Sequence, residues 1–319
     1  MSEKKISIIE FVNKGYLMGP SISKDIEIKE LRRSIKNTLI KKSFPRDMSL
    51  FYIEDQKTIK ILLSIINSKQ LQSTLNEIGN YFKTQVSILP PFNIMNNYHV
   101  DRINDTDIGW HRDCGGEMQY DYCKEKIYNK SYVFGKVGIY LQENLEFGGA
   151  IDIIPYSHVY IKSKKSIYRK LFNIPLRVIQ ILQTKFPNYY KKRSENFYMN
   201  LYNGKKILPE KGQAVLFDSR ISHRGSPIED SVRDSVLFSS TNYRAKTHDQ
   251  NTKYAIYCHF GSSIGFDSYM YDRIRRDKNG NELKRWIYEQ KSLEKFFPEL
   301  ALSVKKIIDP IIPKYRNYL

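Results

Sequence analysis

Two polar segments far apart in sequence set the strongest constraint on how this 319-residue chain can fold. One is Gly109-Trp110-His111-Arg112-Asp113-Cys114-Gly115-Gly116; the other is His223, 110 residues beyond Asp113, with Arg233 ten residues further on. Side chains at i and i+2 of an extended strand project to the same side, so His111 and Asp113 can clasp one ion without backbone strain. One imidazole and one carboxylate do not complete a site. A fold that uses them has to deliver a second imidazole from a distant strand.

Two histidines and one carboxylate on one face of an octahedron are the donor set of non-haem Fe(II) oxygenases, with the opposite face open for chemistry. A lone His-x-Asp is also a common surface or structural polar pair, so context decides between the two readings. Val133–Leu141 (VFGKVGIYL) and Ala214–Phe217 read as apolar strands, and Ser235–Asn242 alternates as another. The candidate ligands therefore lie beside strands of a β core.

Arg233 opens Arg-Asp-Ser-Val-Leu-Phe-Ser-Ser-Thr, where alternation places Arg233, Ser235, Leu237 and Ser239 on one face. A guanidinium fork beside a hydroxyl suits the far carboxylate of a dicarboxylic keto acid. Arg220, Arg224 and Arg244 compete for that role. Arg233 is preferred because it begins the strand after the distal histidine.

With these residues in view, the chain resembles the phytanoyl-CoA dioxygenase-like branch of the Fe(II)/2-oxoglutarate-dependent oxygenases. Trp110-His111-Arg112-Asp113 is similar to that family's Trp-His-x-Asp. The segment from Phe147-Gly148-Gly149 to Ile154-Pro155-Tyr156-Ser157-His158 resembles its Pro-Gly-Ser-His block, and Gly212–Phe217 with His223 and Arg233 resembles its closing pattern. The resemblance spans residues 93 to 243, with Tyr156 standing where the family usually has Gly.

That resemblance implies a mainly β (α+β) fold, a double-stranded β-helix or jelly-roll barrel buttressed by N- and C-terminal helices. It implies Fe(II) held by His111, Asp113 and His223, with 2-oxoglutarate and O2 as co-substrates and hydroxylation as the default outcome. Arg233 would hold the distal carboxylate, with Ser226 or Ser235 supplying a hydroxyl. Asn97, Tyr98 or His99 would add a polar contact from the strand before the His-x-Asp. Asp113 disfavours a halogenase, in which chloride takes the carboxylate's position. His158, His248 and His259 read as hydrogen-bonded structural histidines, Trp110 as packing beside the site, and Cys114 as incidental.

The chain reads as a single domain: a helical buttress over 1–84, a barrel core over 85–260, and a helical extension over 261–319. Within the buttress, residues 26 to 40 and 55 to 82 carry helical periodicity, with a break at Ser43-Phe44-Pro45. After Gly261, Tyr269–Arg276 and Glu282–Phe297 read as helices, and Pro310 and Pro313 end regular structure. The core carries a basic helical insertion over 160–205. From Ile153 to Ser194 there is no acidic residue while ten Lys and Arg fall between Lys162 and Arg193, more than half of the formal +18. A basic, partly apolar surface suits phosphate, an anionic headgroup or another polyanion, and the insertion is a candidate substrate lid.

Three cysteines without paired spacing argue against a disulfide scaffold, and no signal peptide or membrane span is legible, so a cytoplasmic location is expected. The expected partner is a small molecule, anionic or linked to lipid or glycan, turned over by an oxygenase. Two other readings compete: a non-catalytic basic module on a degenerate barrel, and an oxygenase acting on nucleic acid. A degenerate barrel would be free to lose His111, Asp113, His223 or Arg233, and all four are present. The nucleic-acid reading rests on charge alone.

Overall fold

The computed structural model describes residues 8–22, 25–42, 47–49, 55–98, 110–114, 129–142, 150–162, 174, 178, 199–226, 252–276 and 281–318. Arg233, Ser235, His99, His248, the 235–242 strand and nearly all of the basic insertion lie outside them. In chain order the elements begin with α1 (Ile8–Lys14), β1 (Tyr16–Ser21), α2 (Asp25–Lys42), β2 (Asp47–Ser49), α3 (Gln56–Ile66) and α4 (Lys69–Phe82). There follow β3 (Ser87–Tyr98), β4 (Phe134–Tyr140), β5 (Ile151–Ile154), α5 (Ser157–Lys162), β6 (Lys205–Ile207), β7 (Gln213–Asp218), β8 (Ser222–Gly225) and β9 (Thr252–Gly261). The chain closes with α6 (Ser263–Arg276), α7 (Asn281–Phe296), α8 (Pro298–Ile308) and a 3-10 helix, Ile312–Tyr318.

Among the described residues two antiparallel sheets are formed, one in the order β1-β7-β4-β9-β3-β2 and one in the order β6-β5-β8. Alternation along the large sheet decides what packs on each side. Ala214 and Leu216 of β7, Val137 and Ile139 of β4, and Ile256 of β9 join the helices in one apolar layer. Their neighbours Val215, Phe217, Tyr140 and Ala255 turn the other way and meet Ile151, Ile153 and Ile221 of the small sheet's side. The result is the expected α+β class, two facing sheets with helices banked on the outer face of the larger one.

The helical layer follows from capping and amphipathic spacing. Asp55 caps α3 by accepting from the backbone of Lys57 and Thr58, and Ile59, Leu62, Leu63 and Ile66 form its buried stripe. Each such side chain contributes about 1.5–3 kcal/mol on burial. The periodic run over 55–82 is two helices rather than one, because Asn67 caps the first and the Ser68 hydroxyl accepts from Leu71 N to start the second.

The helical buttress over 1–84 needs correction. Its β1 pairs with β7 across Tyr16↔Phe217 and Leu17↔Leu216, and β2 pairs with β3, so among the described residues the segment supplies the first and last strands of the large sheet. The C-terminal reading also changes. Pro298 begins α8 at its first turn, where a missing N–H costs nothing, and the 3-10 helix runs through Pro313. The insertion ends before residue 205, since Lys205 opens β6 and pairs with Ile153. Among the described residues no helix is long and apolar enough to cross a membrane.

Candidate metal centre

The small sheet carries the distal histidine and recruits the proximal one. β5 and β8 pair in register, Ile153 opposite His223 and Asp152 opposite Arg224. His111 then bridges to β8 on the edge away from β5: its N–H donates to the His223 carbonyl at 3.0 Å, and His223 N–H donates back to the His111 carbonyl at 2.9 Å. The imidazoles end on the same side, ring centroids 4.4 Å apart. His111 and Asp113 do not sit in a regular strand; the single bridge at His111 is followed, after Arg112, by a bend at Asp113 and Cys114.

The bend is pinned from behind. Cys114 N–H donates to the Ser219 carbonyl at 2.9 Å, and the buried Tyr132 hydroxyl donates to Cys114 Sγ at 2.9 Å. Arg220, fully buried, stacks 4.5 Å from the Tyr132 ring centroid and grips Asp218 through Nε and Nη2. Cys114 thus has a structural part in orienting Asp113, a contact that its bare adjacency in sequence did not disclose.

One ligand atom each from His111, Asp113 and His223 falls within 4.8 Å of the other two. The protonation pattern indicates what belongs between them. Burial pushes the His223 imidazole down to about 3, the neighbouring Asp113 carboxylate only partly opposing this, so the ring is neutral near pH 7. Its Nδ1 lies 3.1 Å from the Ile221 carbonyl, which can only accept, so the proton is on Nδ1 and Nε2 carries the lone pair.

That lone pair faces Asp113 Oδ2 at 3.5 Å. With the imidazole neutral, this contact is two acceptors meeting rather than an ion pair. Asp113 Oδ2 is buried and has no hydrogen-bond partner among the described residues. Burial alone would raise the Asp113 carboxyl; the Lys136 ammonium, with His223 and His111, outweighs it and holds the group far below the usual carboxylate range. A fixed carboxylate oxygen and a fixed imidazole lone pair aimed at one point fit a cation, and the mixed N/O donor set suits a divalent transition metal.

Lys136 was not legible as a site residue in the sequence. It sits on β4 opposite Phe217 of β7 and His259 of β9, and its ammonium donates to Asp113 Oδ1 at 2.8 Å. A lone charge within the apolar run VFGKVGIYL marks the position as unusual without naming its partner. Further along β4, the Tyr140 hydroxyl lies 2.9 Å from that of Tyr257 on β9.

Behind β8 a second charged cluster is sealed in. Arg224 Nε donates to Asp152 Oδ2 at 2.9 Å and the Ser226 hydroxyl donates to Asp152 Oδ1 at 2.6 Å. The Trp110 ring covers the guanidinium at 5.0 Å. Arg224 is therefore held in a structural pair. Ser226, fully buried and committed to Asp152, is corrected as a co-substrate contact.

Asn97 and Tyr98 close β3 in register with Lys253 and Thr252; their side chains lie outside the described residues. His158 is buried, with Nε2 2.9 Å from the Val12 carbonyl, and His259 stacks on Phe134 with centroids 5.1 Å apart, so neither joins the centre. Tyr156 adopts the left-handed conformation, φ 65°, that explains a glycine at the equivalent place in the resembling motif. The next residue, Ser157, accepts from Ser222 N at 2.8 Å and so anchors the start of β8.

No family model matches the chain, and no curated protein matches it. Among solved structures it is similar to HygX from Streptomyces hygroscopicus, described with nickel and 2-oxoglutarate bound, at 12% identity and TM-score 0.47, covering 80% of this chain and 85% of that one. It is similar to SnoN, a non-heme alpha ketoglutarate dependent epimerase from nogalamycin biosynthesis, at 9% identity and TM-score 0.46, covering 80% and 81%. EctD from S. alaskensis, described with 2-oxoglutarate and 5-hydroxyectoine, aligns at 10% identity and TM-score 0.41 over 81% of this chain and 75% of its own.

Proposed function

We propose that the chain is an Fe(II)- and 2-oxoglutarate-dependent dioxygenase that hydroxylates an unactivated C–H bond of a small molecule. The observation that carries this reading is the pair of facing acceptors, Asp113 Oδ2 and His223 Nε2 at 3.5 Å, with His111 completing a donor set of two imidazoles and one carboxylate. When bound, Fe(II) with 2-oxoglutarate and O2 supplies the oxidising power, releasing succinate and CO2.

The protein's own residues prepare that chemistry. His223 presents a neutral imidazole because Ile221 fixes its tautomer and burial disfavours its charge. Asp113 stays ionised because Lys136 holds Oδ1, leaving Oδ2 for the ion. The exposed His111 marks the side from which ligands arrive, while Phe217, packed 4.8 Å from the His223 ring, keeps the inner side dry. Arg233 is assigned the distal carboxylate of 2-oxoglutarate. With Ser226 spent on Asp152, the accompanying hydroxyl is assigned to Ser235.

The acid-free insertion is assigned to the substrate, whose class is an anionic or lipid- or glycan-linked small molecule. Purified protein supplied with Fe(II) should convert 2-oxoglutarate to succinate slowly without added substrate. His111→Ala and Asp113→Ala should abolish that turnover; turnover intact in either variant contradicts the reading.

A further inference from the structure

We infer that Lys136 sets the charge of the centre so that it selects a dianionic ligand over a monoanionic one. The inference rests on the metal-centre reading proposed above and adds a specificity-determining residue to it. Three observations carry it. Lys136 Nζ is 2.8 Å from Asp113 Oδ1, so the ammonium stands beside a ligand carboxylate rather than out in solvent. Lys136 lies on the face of β4 shared with Tyr140, which packs between the sheets, and its cross-strand neighbours are Phe217 and His259. Finally, its side chain is still 23% exposed, against 8% for Asp113.

An ammonium has three N–H donors and Asp113 takes one of them; among the described residues it is the only partner. Two donors are left over, on a side chain that keeps part of its surface open. Charge counting then gives the selectivity. A ligating imidazole is neutral, and Asp113 and Lys136 cancel, so the protein groups sum to zero. A divalent ion raises the centre to +2, where a carboxylate without its lysine would leave +1. In a partly desolvated site, that extra charge acts on a second carboxylate several ångströms away with little screening. A lysine point charge also tolerates a range of ligand positions, unlike a guanidinium fork.

The test uses full-length protein and Mn(II) as the metal probe, with binding followed by calorimetry and electron paramagnetic resonance. The affinity of the Mn(II)-loaded protein is measured for 2-oxoglutarate, a dianion, and for 2-oxobutanoate, a monoanion. Lys136→Met should lower the preference for 2-oxoglutarate by about tenfold, while Lys136→Arg stays within about threefold of wild type. Mn(II) affinity is measured beside the preference, because Lys136→Met removes both a competing cation and the group that keeps Asp113 ionised. Circular dichroism confirms that each variant is folded, and the arginine variant preserves the test if the methionine variant is not: a tenfold loss of preference in Lys136→Arg would then overturn the inference. An unchanged preference in folded Lys136→Met overturns it, as does an unchanged preference with weakened Mn(II) binding, which would make Lys136 a purely positioning residue. Failure of wild-type protein to bind Mn(II) at all would instead bring down the metal-centre reading and this inference with it.

Discussion

His111 and His223 exchange both of their backbone hydrogen bonds, at 3.0 and 2.9 Å. The backbone separation of the two histidines is therefore set by a β-bridge that holds their Cα atoms about 5.5 Å apart. Whatever moves β8 moves both histidines together. The integrity of the centre thus depends on residues that never face it.

The Asp152–Arg224 pair is the first such dependency. Both groups are buried, and removing the acid takes the carboxylate partner away from the guanidinium beneath Trp110. Asp152→Ala should destabilise the protein by about 3–5 kcal/mol in urea unfolding and weaken metal binding through displacement of β8. A loss below about 1 kcal/mol would show that the pair does not hold the strand.

Gly15 is the second. Its φ is 82°, and a Cβ there would lie 2.5 Å from His158 Nδ1 and 2.9 Å from Ile221 Cδ1. Gly15 also accepts from Asp218 N at 2.8 Å, where β7 leads into the Arg220 turn. Gly15→Ala should cost about 2 kcal/mol or more from strain and overpacking. A melting temperature equal to wild type would contradict this.

How much of this was legible beforehand follows from what each feature depends on. The grouping of His111, Asp113 and His223 was readable because their donor types and their positions beside apolar strands are properties of the string. The facing of the sheets was readable in part, from the alternation around Val215 and Phe217. The β-strand character of Tyr16–Ser21 was not, because Tyr-Leu-Met-Gly-Pro-Ser contains a Gly and a Pro that argue against a strand; pairing with β7 along the sheet edge overrides them. Lys136 and Ser226 were missed or misassigned for a related reason: their roles are set by partners 23 and 74 residues away, Asp113 and Asp152, which no local pattern encodes.

Stability should depend on pH through the buried histidines. Burial lowers both His223 and His259 from an ordinary value of 6.5, His223 to about 3. Below pH 6.5 the unfolded chain takes up protons that the folded chain refuses, so stability is fully present above 6.5 and falls as pH drops. Each histidine should cost up to about 2 kcal/mol between pH 6.5 and 5. The metal-free protein, unfolded by urea at both pH values, should lose less stability in His259→Phe than in wild type. An equal loss would contradict the assignment for His259.

Arg233 is testable separately from the metal. Arg233→Ala should raise the 2-oxoglutarate concentration needed for half-maximal succinate formation by about tenfold or more while leaving Fe(II) binding intact. An unchanged requirement would move the carboxylate contact to another cation.

The most direct test is anaerobic titration of Fe(II) into purified protein followed by calorimetry. Wild-type chain should bind one ion per molecule, and His223→Ala and Asp113→Ala, each shown to be folded, should bind none in the same concentration range. Absence of stoichiometric binding by the wild type, or binding that survives both substitutions, would contradict the metal centre.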